Sequence, residues 1–142
     1  MLLCGSLHGQ LSADSGAAGT RAFAAEPRIE SVEFESHGVT LAGSIVLPAE
    51  PPVHAAVVFI HGSGRQSRNL AVAARFAQDG IAALVYDKRG AGESGGEYEG
   101  DQSVSEKNIA LLADDAVAAF AALAAHSDLD GVPIGFAGIS QA

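Results

Sequence analysis

Three short, continuously apolar runs constrain the fold of this chain more than any other feature of its sequence. They cover residues 55–60, 81–86 and 134–137. Continuous rather than alternating apolarity is typical of strands that are covered on both faces, as in a parallel sheet. Between the first two runs, residues 69–79 carry apolar side chains at helical spacing, and Gly80 follows as a stop signal. Strand, helix and strand in this order predict a βαβ unit and an α/β fold.

An antiparallel hairpin is predicted before these runs. Glutamates mix with Ile29, Val32 and Phe34, a pattern that indicates a half-buried strand. After a turn at residues 36–38, residues 39–47 place apolar side chains at even spacing and form a second strand. Two strands joined by so short a turn must run antiparallel, and the prolines that follow end the hairpin.

A second, longer helix is predicted before the third apolar run. It extends from about Ser103 or Ser105 to residue 125, and Ser103 has capping-box spacing to Glu106. Six residues form its expected apolar stripe: Ile109, Leu112, Ala113, Ala116, Phe120 and Leu123. No repeat or linker divides the chain, so residues 27–142 are expected to belong to one domain.

Residues 1–26 lack periodicity and are rich in Gly, Ala and Ser, so we expect a flexible leader. Ala22-Phe23-Ala24 has the form of a signal-peptidase site. No lysine or arginine lies near the start, and Asp14 interrupts the weakly apolar stretch. We therefore prefer a flexible tail or a mis-assigned gene start to a signal peptide, and leave localisation open between cytoplasm and export.

Composition argues against several classes of function. The net charge of -9 disfavours nucleic acid, which needs a basic face. Cys4 is the one cysteine, which excludes an internal disulfide and a multi-cysteine metal site. No two histidines have the i, i+4 spacing of metal ligands on a helix, so neither metal nor cofactor is expected. No apolar run reaches the roughly 18 residues of a membrane-spanning helix.

Each apolar run ends in a loop of small and polar residues. The first is followed by His61-Gly62-Ser63-Gly64, the second by Asp87-Lys88-Arg89-Gly90-Ala91-Gly92-Glu93-Ser94, and the third by Gly138-Ile139-Ser140-Gln141-Ala142. Glycine two residues before Ser140 suits a sharp turn in which backbone segments approach too closely for a side chain.

These three loops, in this order, resemble those of the α/β-hydrolase family. They are similar to its HG oxyanion loop, its D-x-R-G-x-G-x-S loop and the start of its G-x-S-x-G nucleophile elbow. The second motif is the most specific and the third the least. The resemblance covers about residues 32–142 and implies an N-terminal hairpin followed by parallel strands with flanking helices, about five of the family's eight strands.

The resemblance implies a serine hydrolase that cleaves a carboxylic ester or related acyl bond of a small molecule through an acyl-enzyme on Ser140. Negative charge on the reacting carbonyl oxygen would be stabilised by the N–H groups of Gln141 and Ser63, with Gly64 as the alternative to Ser63. Family triads run in the order Ser, acid, His. The acid and the histidine are therefore expected after residue 142, and the 142-residue chain is expected to be an inactive fragment.

His61 precedes the serine and belongs to the HG loop, so it is not expected to act as the base. Residues 90–95 also spell G-x-G-x-x-G, but carboxylates at 97, 99 and 101 follow before any helix begins, which argues against a dinucleotide site. Structural rather than chemical roles are expected for the remaining motif residues: His61, Gly62, Gly64, Asp87, Arg89, Gly90, Gly92 and Gly138.

Two alternatives stay open on the sequence. Relatives of this fold cleave amides with the same triad, so the chain could belong to a serine peptidase of the aminopeptidase or acyl-peptidase kind. From another class, it could be a non-catalytic fragment or binding module in which Ser140 is a small residue in a strand-to-helix turn. Labelling of the completed protein by a fluorophosphonate would separate a hydrolase from a binding module.

Overall fold

The computed structural model describes residues 25–98 and 106–140. Their elements, in chain order, are β1 (Arg28–Ser36), β2 (Val39–Leu47), β3 (Ala55–Ile60), α1 (Leu70–Gln78), β4 (Ile81–Tyr86), α2 (Glu106–Ala124), a 3-10 turn (Ser127–Leu129) and β5 (Ile134–Gly138). Several predictions lie outside the described residues: the Ala22-Phe23-Ala24 site, Cys4, the helix start at Ser103 or Ser105, and Gln141. The division into a leader and a domain from residue 27 stays a prediction.

The strands form one five-stranded mixed sheet in the order β1-β2-β4-β3-β5. β2 pairs antiparallel with both β1 and β4. β3 lies between β4 and β5 and is parallel to both. The predicted architecture, an N-terminal hairpin followed by parallel strands with flanking helices, is therefore confirmed.

The two helices cover opposite faces of the sheet because β2 and β4 present apolar side chains on both sides. On one face, Leu41 and Leu84 pack with Ala119 and Leu123 of α2. On the other, Val46 and Val85 pack with Ala73 and Ala77 of α1. Alternate residues of a strand point to opposite faces, so the continuous apolarity of β4 supplies both cores.

Helix α1 begins at a side-chain cap. Asn69 Oδ1 accepts a hydrogen bond from the backbone N–H of Val72 at 3.2 Å, which satisfies one of the N–H groups that the first helical turn leaves unpaired. At the other end, Gly80 has a φ of 78° and its N–H donates to the carbonyl of Ala77 at 3.1 Å. These limits agree with the predicted helix to within one residue.

Several burial predictions were wrong, among them Ala113 of the α2 stripe, which is exposed. β5 was expected to be a buried strand, but Phe136 is 51% exposed; among the described strands β5 pairs only with β3. Ile29 is 55% exposed. It lies an odd number of residues from Val32 and Phe34, so its side chain points to the opposite, outer face of β1. In α2, Ile109 is 44% exposed, whereas the neighbouring Asn108 is buried, so this turn of the helix does not face inward with its predicted apolar stripe.

Candidate functional site

The loops after β3 and β5 meet because these strands are parallel and in register up to the pair Ile60 and Gly138. The N–H of Ile139 donates to the carbonyl of Ile60 at 3.4 Å. A Cβ atom at Gly62 would lie 3.2 Å from both the Cβ of Ser140 and the carbonyl oxygen of Ile139. A glycine at position 62 therefore lets the first loop approach Ser140 closely.

Ser140 has an unusual backbone conformation. It follows β5 directly and has a φ of 61°; among the described residues, His37 is the other non-glycine with positive φ. The left-handed region costs an L-residue about 1–2 kcal/mol, and such strain clusters at functional sites. The Ser140 side chain is exposed, and no hydrogen bond among the described residues involves its hydroxyl.

His61 connects the ends of β3 and β4. Its ring is buried, and Nε2 is hydrogen-bonded to the carbonyl oxygen of Tyr86. Because a carbonyl only accepts, Nε2 must carry the proton. Burial lowers the pKa of His61, although the hydrogen bond to Tyr86 acts in the opposite direction. The His61 ring thus ties the end of β3 to the end of β4 through its Nε2–H.

Two side chains donate hydrogen bonds to the carbonyl groups of the loop at residues 61–64. Lys88 Nζ donates to the carbonyl oxygens of Gly62 at 2.7 Å and Gly64 at 3.2 Å. The carbonyl of Ser63 accepts from Gln66 Nε2 at 2.6 Å. Within residues 25–98 and 106–140, the N–H groups of Ser63 and Gly64 have no hydrogen-bond acceptor. This loop therefore has two N–H groups without an acceptor in those ranges, and it adjoins Ser140 through Gly62.

Asp87 organises the loop after β4. Its buried carboxylate accepts from the backbone N–H of Arg68 at 2.7 Å and of Glu93 at 2.8 Å, and from Arg68 Nη2 at 2.8 Å. Burial acts to raise the pKa of Asp87, but these hydrogen bonds outweigh it and hold the pKa below its usual range. Gly92 has a φ of 53°, and a Cβ there would collide with the Asp87 carboxylate.

The other residues of this motif also have defined partners. Ser94 Oγ donates to the carbonyl of Asp87 at 2.6 Å and accepts from the N–H of Ala42 at 2.9 Å. Gly90 has a φ of 72°. Arg89 forms a buried, two-pronged ion pair with Asp115 of α2, with Nη2 to Oδ1 at 2.5 Å and Nε to Oδ2 at 3.1 Å.

Sequence reasoning missed Arg68, Lys88 and Asp115. A signal existed for Asp115, which lies at helical spacing from Leu112 and Ala119 and so interrupts the apolar stripe of α2 with a carboxylate. No local pattern marks Arg68 or Lys88, because their partners come from other strands and loops.

The remaining described histidines lie elsewhere, and His54 donates its backbone N–H to the carbonyl of Gly80 at 2.9 Å. His37 is exposed and pairs with Asp114, and His126 pairs with Glu30 at 3.0 Å. In the described ranges, no group of three or more His, Cys, Asp or Glu side chains could hold a metal ion. No helix in that part of the chain is long and apolar enough to cross a membrane.

Comparison with known proteins links this geometry to a family. A family model described as serine aminopeptidase, S33, matches residues 51–141. The dienelactone hydrolase of Anabaena variabilis is 29% identical, with a TM-score of 0.59 over 81% of this chain and 53% of that one. An esterase of Pyrococcus furiosus is 25% identical, with a TM-score of 0.55 over 79% of this chain and 40% of that one.

A lipase in its open form shares the fold at 23% identity, with a TM-score of 0.63 over 80% of this chain and 37% of that one. No significant match was found among curated proteins. The chain thus spans about half or less of the solved structures that it matches. The family match covers more than half of the chain and includes the first two loops and the third as far as Gln141. The chain belongs to the serine aminopeptidase S33 family, within the α/β hydrolases.

Proposed function

We propose that this chain supplies the nucleophile and the oxyanion loop of a serine hydrolase that cleaves carboxylic esters or related acyl bonds of small molecules. The observation that carries the proposal is the left-handed backbone of Ser140 at the end of β5, against Gly62. A strained turn of this kind exposes a serine Oγ above the sheet, where a base and a substrate can reach it.

In the proposed reaction, Ser140 Oγ attacks the carbonyl carbon while its proton passes to a base. The tetrahedral oxyanion accepts hydrogen bonds from the N–H groups of Ser63 and Gln141, with Gly64 as the alternative to Ser63. Collapse of the intermediate expels the alcohol, which takes up the proton, and water then hydrolyses the acyl-enzyme. Ser63 is supported by an N–H that has no acceptor among the described residues and by the close approach of its neighbour Gly62 to Ser140; Gln141 lies outside the described residues.

The base is proposed to come from outside the 142 residues. His61 donates its Nε2 proton to Tyr86, and the described part of the chain places no hydrogen-bond partner on the Ser140 hydroxyl. Loss of an essential triad member lowers turnover by about 10⁶. We therefore propose that residues 27–142 form the N-terminal part of a longer hydrolase domain, and that they do not turn over substrate by themselves.

A peptidase is the second candidate, favoured by the description of the matching family as serine aminopeptidase. Solved relatives at 25% identity or more include an esterase and a dienelactone hydrolase, which favours esters. Turnover of p-nitrophenyl esters and of aminoacyl p-nitroanilides by the full-length protein separates the two candidates.

The test of the proposal uses Ser140→Ala in the full-length protein. The variant should retain the fold by circular dichroism, lose labelling by a fluorophosphonate and lose ester hydrolysis. Activity close to that of the parent would falsify the nucleophile assignment, and failure of the parent to label would favour a binding module. The 142-residue chain should turn over a p-nitrophenyl ester no faster than its own Ser140→Ala variant.

The oxyanion donor has a matched pair of variants. Ser63→Ala keeps the backbone N–H, whereas Ser63→Pro removes it. Loss of one such donor lowers kcat by about 10²–10³, so the proline variant should be slower than the alanine variant by about that factor. Equal kcat values for two folded variants would contradict the role of Ser63.

A further inference from the structure

Lys88 is a buried cation that lies against the oxyanion loop. Its residue is 3% exposed, and Nζ donates to the carbonyl oxygens of Gly62 and Gly64. The ammonium also lies 4.7 Å from the centroid of the Tyr98 ring. Its backbone N–H donates to the carbonyl of Gln66 at 3.0 Å. The side chain of Lys88 therefore binds this loop, and its main chain binds Gln66, two residues after it.

The planarity of the peptide group makes these contacts relevant to the donors. In a trans peptide, the carbonyl of one residue and the N–H of the next point in opposite directions. When Lys88 draws the Gly62 carbonyl towards itself, the N–H of Ser63 must point to the opposite side. That N–H has no acceptor among the described residues, and Gly62 is adjacent to Ser140.

We propose that Lys88 is a positioning residue that aims the N–H of Ser63 at the oxyanion; this rests on the proposed function. An ammonium suits the task because it has three donors and no acceptor, and charged donors make hydrogen bonds about twice as strong as neutral ones. A cation bound to the carbonyl also polarises the peptide group, which strengthens its N–H as a donor.

The Arg68–Asp87 contacts perform a different task. They fix residue 68, downstream of the turn, through the backbone N–H and the guanidinium of Arg68. Neither contact touches the peptide units of residues 62–64. Lys88 binds two of those units directly, so its loss should leave the loop in place and disturb the orientation of its donors.

The experiment is a double-mutant cycle in the full-length protein with a p-nitrophenyl ester. Lys88→Met should lower kcat by about 10–100-fold, part of the 10²–10³ expected for losing a donor, with KM changed by less than about threefold. In the Ser63→Ala background, which keeps the N–H, the same loss is expected. In the Ser63→Pro background, Lys88→Met should lower kcat by less than about threefold, because residues that act through one group are not additive.

Lys88→Arg retains the donors and should recover at least part of the lost kcat. A second measurement is independent of the proline variant: an aryl trifluoromethyl ketone forms a hemiketal oxyanion, and Lys88→Met should weaken its inhibition by about the factor lost in kcat/KM. If Lys88→Met is not folded by circular dichroism, Lys88→Gln, which keeps a donor but is too short to bind both carbonyls, replaces it.

Three outcomes overturn the inference. The first is an unchanged kcat in folded Lys88→Met, and the second is a decrease in kcat on Lys88→Met that is as large in the Ser63→Pro background as in the parent. The third is unchanged inhibition of Lys88→Met by the ketone. Failure of the proposed function is seen separately. It would appear as activity in Ser140→Ala, or as equal kcat for Ser63→Ala and Ser63→Pro, before Lys88 is changed at all.

Discussion

The ion pair between Arg89 and Asp115 allows a quantitative test of how the site is attached to the fold. It joins the loop after β4 to α2, and both side chains are buried, at 6% and 0% exposure. Arg89 Nη2 also donates to the carbonyl of Ser36 at 3.2 Å. Asp115→Asn keeps the size of the side chain but leaves the guanidinium buried without its counter-charge.

Removing one partner of a buried ion pair typically costs about 3–5 kcal/mol. Because asparagine retains one acceptor oxygen, we expect Asp115→Asn to lie near the lower end, about 3 kcal/mol, or roughly 10²-fold in the folding equilibrium. The adjacent Asp114 provides the control. Its hydrogen bond with His37 is exposed, at 56% for both side chains, so Asp114→Asn should cost less than about 1 kcal/mol.

The assay is urea unfolding of the full-length protein, followed by far-ultraviolet circular dichroism, with variants compared at equal m-values. Replacing both partners, as in Arg89→Met with Asp115→Leu, removes the buried charges together and should recover most of the lost stability. The reasoning is refuted if Asp115→Asn is no more destabilising than Asp114→Asn, or if the double variant costs as much as the two single changes added.

Three further predictions concern strain and pH. In urea unfolding, the free energy of unfolding of Ser140→Gly should exceed that of Ser140→Ala by about 1 kcal/mol, because glycine adopts positive φ without strain. Equal free energies would argue against a strained turn. In an NMR titration, His61 should remain neutral with its proton on Nε2 as the pH passes through 6.5, and titration at the ordinary value would contradict this. Because burial lowers the pKa of His61 in the folded state, its contribution to stability should decline as pH falls from about 6.5 through that lowered pKa. Asp87→Asn should destabilise the protein at neutral pH, and the difference from the parent should shrink in acid. The pKa of Asp87 is lowered on folding, so its contribution is complete above about pH 4 and is lost as pH falls through the folded value; a difference that does not change with pH would refute it.

Local sequence patterns were sufficient for the elements and for the positions of the three loops. The apolar runs at 55–60 and 81–86 coincide with β3 and β4, and the predicted helix over 69–79 matches α1, which Gly80 follows. Apolar periodicity and capping depend on neighbours a few residues away, so they can be recognised in a single sequence. The order of the loops after successive strands was also enough to indicate the fold family.

Which residues meet across the sheet was decided by the tertiary structure alone. Lys88 contacts Gly62 across 26 positions of sequence, and Arg89 contacts Asp115 across 26. The exposure of Phe136 likewise depends on which strands flank β5. A periodic pattern reports which face of an element can be buried, whereas the partner on that face is selected only when strands β3, β4 and β5 bring their loops to one edge of the sheet.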